Sequence, residues 1–173
     1  MKQHIWISIL KPLTVLPVLL MLGTIFGFSN QNGETSSGLS HRISMSIVTT
    51  FDSLSEQNWA EDTIEDYAEK IEYPIRKAAH VSEYLILTLL TALPLGVYGV
   101  RGKKLFLSLF LFCVFSAAGD EFHQGFIPGR SPQLADVLID SIGILTGCIF
   151  AAFLLRDRTS HMGSSQQADT AKR

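Results

Sequence analysis

Two short segments of the chain place ionisable side chains at the edges of stretches that are apolar enough to enter a lipid bilayer. The first segment carries Arg76, Lys77, His80, Glu83 and Tyr84, and the second carries Asp120, Glu121, His123 and Gln124. Ionisable groups beside a membrane span are tolerated mainly where they face a bundle interior or a watery cavity. The two segments therefore predict where the chemistry or the recognition of this protein is located.

These residue types are suited to more than one kind of chemistry. A histidine with a carboxylate one helical turn away can act as an acid/base pair, so the candidate catalytic residues are His80, Glu83, Asp120 and Glu121. Together with His123 and Asp136 they also offer nitrogen and oxygen ligands of the kind that a divalent metal takes.

Arg76, Lys77 and Arg130 would supply positive charge to an anion, and the planar fork of Arg130 can grip phosphate or carboxylate with two hydrogen bonds. Arg130 follows Pro128-Gly129, a dipeptide that predicts a fixed turn. Its expected anchors are Asp136 and the carboxylates of the two charged segments.

Helical spacing aligns these residues in stripes. His80 lies three residues before Glu83 and four before Tyr84, with Arg76 one turn earlier, so these side chains share a helix face. Asp120 likewise precedes His123 by three residues and Gln124 by four. Further along, polar and small residues recur at intervals of four, three and four residues, and small residues at such spacing let helices approach closely; they are Asp136, Asp140, Gly143 and Gly147.

The elements that must position these residues are membrane spans. The chain has 173 residues, 47% of them apolar, and a mean hydropathy of +0.26. A helix needs about 20 apolar residues to cross a bilayer, and the apolar runs predict spans at about 5–28, 78–100, 105–122 and 134–155. We therefore expect one domain over residues 5–155, an all-α bundle of four transmembrane helices, followed by a polar tail at 156–173. A cleaved signal peptide is the alternative for the first run, with an uncleaved anchor favoured.

The segment between the first two spans, residues 29–77, is expected on the outer side and contains a predicted amphipathic helix. It opens with a turn-rich stretch and continues through Ser-rich sequence before it becomes periodic. Asn58 and Glu61 resemble a capping box, and apolar residues then recur at helical spacing; they are Ile64, Tyr67, Ala68 and Ile71. Pro74 is expected in the first turn of the next helix, where the missing N–H has no cost.

Positive charge orients the spans. If the N-terminus is cytoplasmic, nine of the 14 Lys and Arg residues lie on the inner side, and positive charge concentrates on that side in membrane proteins. The five on the outer side are Arg42, Lys70, Arg76, Lys77 and Arg130. Both termini are thus predicted to be cytoplasmic, with the candidate site at the outer face.

Composition argues against several classes of protein. A net charge of −2 and the lack of any RNA- or DNA-binding motif argue against a nucleic-acid partner. Cys113 and Cys148 both fall in apolar spans and fit neither a disulfide framework nor a metal knuckle, so we interpret both as buried thiols. No motif predicts a cofactor or a defined metal site, and membrane lipids are the expected surroundings.

Three groups of these residues, in this order, resemble the VanZ-like family of bacterial membrane proteins. The first is Arg76-Lys77 with His80, Glu83 and Tyr84; the second is Asp120-Glu121 with Gln124, Phe126, Pro128, Gly129 and Arg130; the third is Asp136 with Gly143 and Gly147. A weaker fourth group is Phe28-Ser29 with Gln31. The resemblance covers roughly residues 28–155. Asp140 departs from the pattern, which has asparagine there, and His123 lies outside it.

The resemblance implies a four-span protein of the bacterial cytoplasmic membrane that acts on the envelope. The founding member of the family is associated with reduced sensitivity to the glycopeptide teicoplanin. We therefore expect this chain to bind an anionic lipid-linked or cell-wall intermediate at the outer face. The expected binding residues are Arg76, Lys77, His80, Glu83, Tyr84, Asp120, Glu121, Gln124, Arg130, Asp136 and Asp140.

Two other interpretations of the same residues stay open at this point. The polar residues could form a buried hydrogen-bonded and ionic network that only holds the bundle together, since burial of unpaired polar groups is costly. They could instead form the site of an intramembrane enzyme that uses an acid/base pair or a metal ion. No nucleophile elbow or HExxH motif supports the enzyme.

Overall fold

The computed structural model describes residues 11–156, which form five α-helices. A short 3₁₀ turn at Pro12–Val15 leads into the first helix, and the helices are α1 (Leu16–Ser29), α2 (Gly33–Ser55), α3 (Glu61–Val97), α4 (Gly102–Gln124) and α5 (Leu134–Arg156). Residues 5–10 of the predicted first span and 157–173 of the predicted polar tail lie outside the described part of the chain.

Four of the helices are long and apolar enough to cross a membrane. They are the segment Pro12–Ser29, α3, α4 and, in α5, Leu134–Leu155. Between residues 11 and 156 there is no β-strand. The predicted all-α architecture with four spanning helices is therefore confirmed, and the protein is a multi-pass membrane protein.

Helix α3 is the centre of the bundle, because it packs against each of the other helices and most extensively against α5. The close approach of α5 depends on Gly143, where an added Cβ would collide with the backbone carbonyl oxygen of Val81. At Gly147 an added Cβ would lie 2.8 Å from Cβ of Thr88. The small residues predicted to allow close helix packing thus face the middle of α3.

The Ser-rich segment forms a helix, α2, that the sequence did not predict. The Asn32 side chain caps it by accepting a hydrogen bond from the Thr35 backbone N–H at 2.8 Å. The hydroxyl groups of Ser40 and Ser44 donate to carbonyl oxygens one turn earlier, which satisfies them within the helix. Ser40, Ser44 and Val48 are the buried face of α2, and this face of small and polar residues lies on the N-terminal half of α3.

The predicted amphipathic helix and the second span are one continuous helix. Pro74 was predicted in the first turn of a new helix, but it lies inside α3. Pro74 cannot donate to the Lys70 carbonyl oxygen, and both residues are exposed, so water can satisfy that oxygen. Packing of α2 along this half of α3 then favours one unbroken helix.

The predicted capping box at Asn58 is wrong. The residue before the first turn of α3 is Ala60, which provides no side-chain cap. Asn58 has a positive φ of 53° and its amide donates to the Glu56 carbonyl oxygen. The chain reverses direction within residues 56–60, and Asp52 stabilises this turn by accepting from the Trp59 N–H at 3.0 Å.

Candidate functional site

A cavity of about 210 Å³ lies where the C-terminal end of α1, the start of α2 and the middle of α3 meet the loop after α4. We call it the outer cavity. Its ionisable lining residues are Arg76, His80, Glu83 and Arg130, its polar ones are Ser29, Gln31, Ser36 and Ser40, and its apolar ones are Phe28, Leu39, Ile43, Ile75 and Ala79. Four of the predicted site residues therefore line one partly open cavity.

Arg76 is held in the outer cavity by residues of two helices. Its guanidinium forms an ion pair with Glu72 one turn earlier and donates to the Ser37 hydroxyl at 2.8 Å. A longer contact of 3.4 Å joins its Nε to the Ser40 hydroxyl. These partners fix the direction of the Arg76 side chain and link α3 to α2.

Arg130 is placed by the rigid turn that precedes it. The Arg130 N–H donates to the Ile127 carbonyl oxygen at 3.1 Å, with Pro128 and Gly129 between them. Gly129 has φ +74°, so this is a type II turn, which has proline and glycine at these positions. The Gly33 N–H donates to the Pro128 carbonyl oxygen at 3.1 Å, which ties the turn to the start of α2. The fixed turn predicted from Pro128-Gly129 is confirmed.

Arg130 has no close carboxylate partner in the described part of the chain, and only the more distant Asp120 and Glu121 act on it as negative charges. Within residues 11–156 no carboxylate lies within ion-pair distance of its guanidinium, and its only side-chain hydrogen bond there is a long one, 3.4 Å from Nε to the Gln31 carbonyl oxygen. Burial, and after it the positive charge of Arg76, lowers the pKa of Arg130 below the usual arginine value. An anion between the two guanidinium groups would relieve both effects.

The expected anchor of Arg130, Asp136, pairs with a different cation. The Lys77 ammonium lies 2.6 Å from Asp136 Oδ1, and both side chains are less than one fifth exposed. The same ammonium lies 5.1 Å from the centroid of the Tyr73 ring. Lys77 is therefore used to join α3 to α5 and does not line the outer cavity.

The predicted stripe on α3 divides between two environments. His80 and Glu83 both line the outer cavity, and His80 Nδ1 lies 3.9 Å from Glu83 Oε2. Tyr84 is completely buried in the bundle, and its hydroxyl has no hydrogen-bond partner among the described residues. Tyr84 thus belongs to the core, next to the site.

Asp120 and Gln124 form a buried polar link behind the outer cavity. Asp120 is 1% exposed and its Oδ2 accepts from the Gln124 amide at 3.0 Å. The same amide donates to the Ser29 hydroxyl at 2.9 Å. Asp120 is close enough to His80 and Glu83 to act electrostatically on both. The link therefore joins α4 to α1 and places a carboxylate behind the cavity residues.

Glu121 and Asp140 lie on the side of the bundle where Lys77 meets Asp136. Glu121 is buried and its Oε2 accepts from the Gln133 backbone N–H at 2.9 Å, which fixes the loop before α5. Asp140 is 3% exposed on α5, and its electrostatic neighbours are Glu121, Asp120, Asp136 and Lys77. Glu121 thus fixes the chain between α4 and α5, and neither carboxylate lines the outer cavity.

His123, the second histidine proposed as a metal ligand, points elsewhere. Its ring packs edge-on against Phe26 of α1, with the ring centroids 6.0 Å apart. Over residues 11–156 no group of three or more His, Cys, Asp or Glu side chains is arranged to hold a metal ion. Cys113 and Cys148 are buried free thiols within the bundle, as predicted.

A family model for VanZ/LLP1 matches residues 14–155 of the chain. The chain belongs to the VanZ/LLP1 family. The match contains all the candidate residues of the outer cavity, and it extends the resemblance to include the first spanning helix. No curated protein and no solved structure matches the chain significantly.

Four polar residues around the site of this VanZ/LLP1 protein were not identified from the sequence as site residues. Arg76 is held by Glu72, Ser37 and Ser40. The Ser29 hydroxyl accepts a hydrogen bond from the Gln124 amide. Glu72 lies one turn before Arg76, a spacing that indicates an ion pair on a helix. The two serines of α2 had no such signal, because their contact with α3 is made between distant parts of the chain.

Proposed function

We propose that this VanZ-like protein recognises an anionic group of a lipid-linked or cell-wall intermediate at the outer face of the bacterial cytoplasmic membrane. Recognition of such an intermediate would alter the sensitivity of the envelope to glycopeptides such as teicoplanin. One observation carries the proposal. Two arginines face the same cavity, and one of them has no carboxylate partner in the described part of the chain.

The two arginines differ in how many of their hydrogen-bond donors are already used, and this difference supports anion binding. Arg76 is already held by Glu72 and two serines, so it contributes a positive charge at a fixed position in the cavity. Arg130 keeps most of its donors available, because its hydrogen bond to Gln31 uses only Nε. A planar guanidinium aimed by a rigid turn can hold phosphate or carboxylate with two hydrogen bonds.

To test the proposal, the purified protein in non-ionic detergent is titrated with inorganic diphosphate in an isothermal titration calorimeter. We expect binding by the unaltered protein, at least a tenfold loss in Arg130→Ala and a similar loss in Arg130→Lys, because lysine keeps the charge but not the fork. Arg42→Ala is the matched control, since Arg42 is an exposed arginine of α2 outside the cavity lining. Binding that survives in Arg130→Ala as in Arg42→Ala would refute the proposal.

His80 and Glu83 line the same cavity, which supports acid/base catalysis on a bound anion as a second candidate function. The same titration distinguishes the two. A catalyst that accepts the probe converts diphosphate to phosphate, and phosphorus NMR of the mixture detects this; a recognition protein leaves the probe intact.

A further inference from the structure

The outer cavity is small for the whole of a cell-wall intermediate. Its volume of about 210 Å³ is below the range of about 300–1,000 Å³ typical of pockets that enclose a drug-sized ligand. The lined space therefore fits a compact anionic group such as a phosphate, and anything larger attached to that group would project out of the cavity. The enclosed part of the ligand is therefore a simple head group.

One wall of the cavity is apolar, and a free inorganic anion would gain nothing from it. Phe28, Leu39 and Ile43 contribute this wall, and their side chains are 46%, 46% and 44% exposed. Phe28 belongs to the last turn of α1, a helix long and apolar enough to span the membrane, so it lies at the end of a candidate span. The cavity is thus bounded by charged side chains on one side and by a partly exposed aromatic ring on the other.

The carboxylate in the cavity adds a further requirement. Glu83 lines the same space as the two arginines, and its ionised form would repel an anion that carries no proton. A terminal phosphate loses its second proton near pH 6, so a singly protonated form is available close to neutral pH and can donate a hydrogen bond to Glu83. A phosphodiester carries no such hydroxyl group.

We infer that the ligand of the outer cavity is a lipid whose head group is a terminal phosphate without a sugar or alcohol substituent. The phosphate lies between Arg76 and Arg130, and the apolar chain leaves past Phe28 into the bilayer. This inference rests on the proposed anion-recognition function and names the class of molecule that the site takes.

Native mass spectrometry of the detergent-solubilised protein tests the head group. The protein is mixed with equal amounts of phosphatidic acid and phosphatidylinositol that have the same acyl chains. Phosphatidic acid carries a terminal phosphate and phosphatidylinositol a ring-substituted one. We expect phosphatidic acid adducts to exceed phosphatidylinositol adducts at least tenfold, and this preference to be absent in Arg130→Ala.

A pair of phenylalanine variants tests the path of the chain. Phe28→Ala should weaken phosphatidic acid binding several-fold and inorganic diphosphate binding much less, because diphosphate has no apolar chain to lie against Phe28. Phe26→Ala is the matched control, because Phe26 is an exposed phenylalanine of the same helix that does not line the cavity. It should bind both probes as the unaltered protein does.

The outcomes separate this inference from the proposed function. Equal binding of the two lipids, or equal binding of phosphatidic acid by Phe28→Ala and Phe26→Ala, would overturn the inference that the ligand is a lipid with a terminal phosphate. Neither result would affect the evidence for diphosphate binding. Failure of the unaltered protein to bind diphosphate at all would overturn the proposed function itself.

Discussion

At the scale of single residues, the sequence predicted several residues that line the cavity, but it did not predict which side chains pair with each other. The stripe of Arg76, His80 and Glu83 followed from helical spacing, and all three line the outer cavity. The partner of Lys77 lies on another helix and that of Arg130 in the loop before α2, and a single sequence contains no signal for which parts of the chain come together. The expected Arg130–Asp136 pair was therefore wrong, and Asp136 pairs with Lys77.

The Lys77–Asp136 pair should be a strong contributor to stability. Lys77→Met leaves the Asp136 carboxylate without its cation near two other carboxylates, those of Glu121 and Asp140. Loss of one partner of a buried pair typically costs about 3–5 kcal/mol. We expect a clear drop in the free energy of unfolding in detergent, and recovery of most of it in the double variant Lys77→Met/Asp136→Leu.

The control for this measurement is Lys70→Met. Lys70 pairs with Asp66 on the exposed surface of α3, where water screens the interaction, so its loss should change stability little. Equal losses for Lys77→Met and Lys70→Met, or a double variant less stable than Lys77→Met, would contradict the assigned role of the buried pair.

At the scale of helices, the sequence predicted the helices that form because they are apolar, and it missed the one that forms by packing. Hydropathy alone indicates the spans, because a bilayer admits only long apolar helices. Helix α2 is rich in serine and threonine, which are weak helix formers, so its existence depends on packing against α3. For the same reason Pro74 was expected at a helix start and lies within a helix that α2 supports.

The contact between α3 and α5 should tolerate no side chain at Gly143. Gly143→Ala introduces a Cβ that would collide with the Val81 carbonyl oxygen, a backbone atom that cannot rotate away. Overpacking of this kind costs roughly 1–3 kcal/mol, so we expect a lower thermal unfolding temperature and a smaller yield of folded protein.

Gly23→Ala provides the comparison for Gly143→Ala. Gly23 is also a helical glycine, and nothing lies within 4 Å of the position where its Cβ would be. Alanine favours a helix over glycine by up to about 1 kcal/mol, so Gly23→Ala should leave the unfolding temperature unchanged or raise it. Similar losses in both variants would show that the helix contact at Gly143 is looser than described.

At the scale of the whole molecule, the charge distribution sets the expected orientation. The end of the bundle that carries the outer cavity is predicted to face outward, since the inner loops and the ends of the chain hold most of the Lys and Arg residues. This orientation is what would give the site access to envelope intermediates.

Single cysteines test the orientation. A cysteine at Gly38, an exposed position on α2, should react with a membrane-impermeant thiol reagent in intact cells. A cysteine at Lys103, exposed at the start of α4, should react only after the cells are permeabilised. Cys113 and Cys148 are buried and should give little background. The reverse labelling pattern would place the cavity on the cytoplasmic side.

Protection of a cysteine within the outer cavity is the most direct test that an anion binds there. Ser36 lines the cavity, whereas Ser46 lies exposed on the same helix outside it. Inorganic diphosphate should slow the reaction of Ser36→Cys with an impermeant thiol reagent several-fold and leave the reaction of Ser46→Cys unchanged. Identical labelling rates of Ser36→Cys with and without saturating diphosphate would contradict anion binding in the outer cavity.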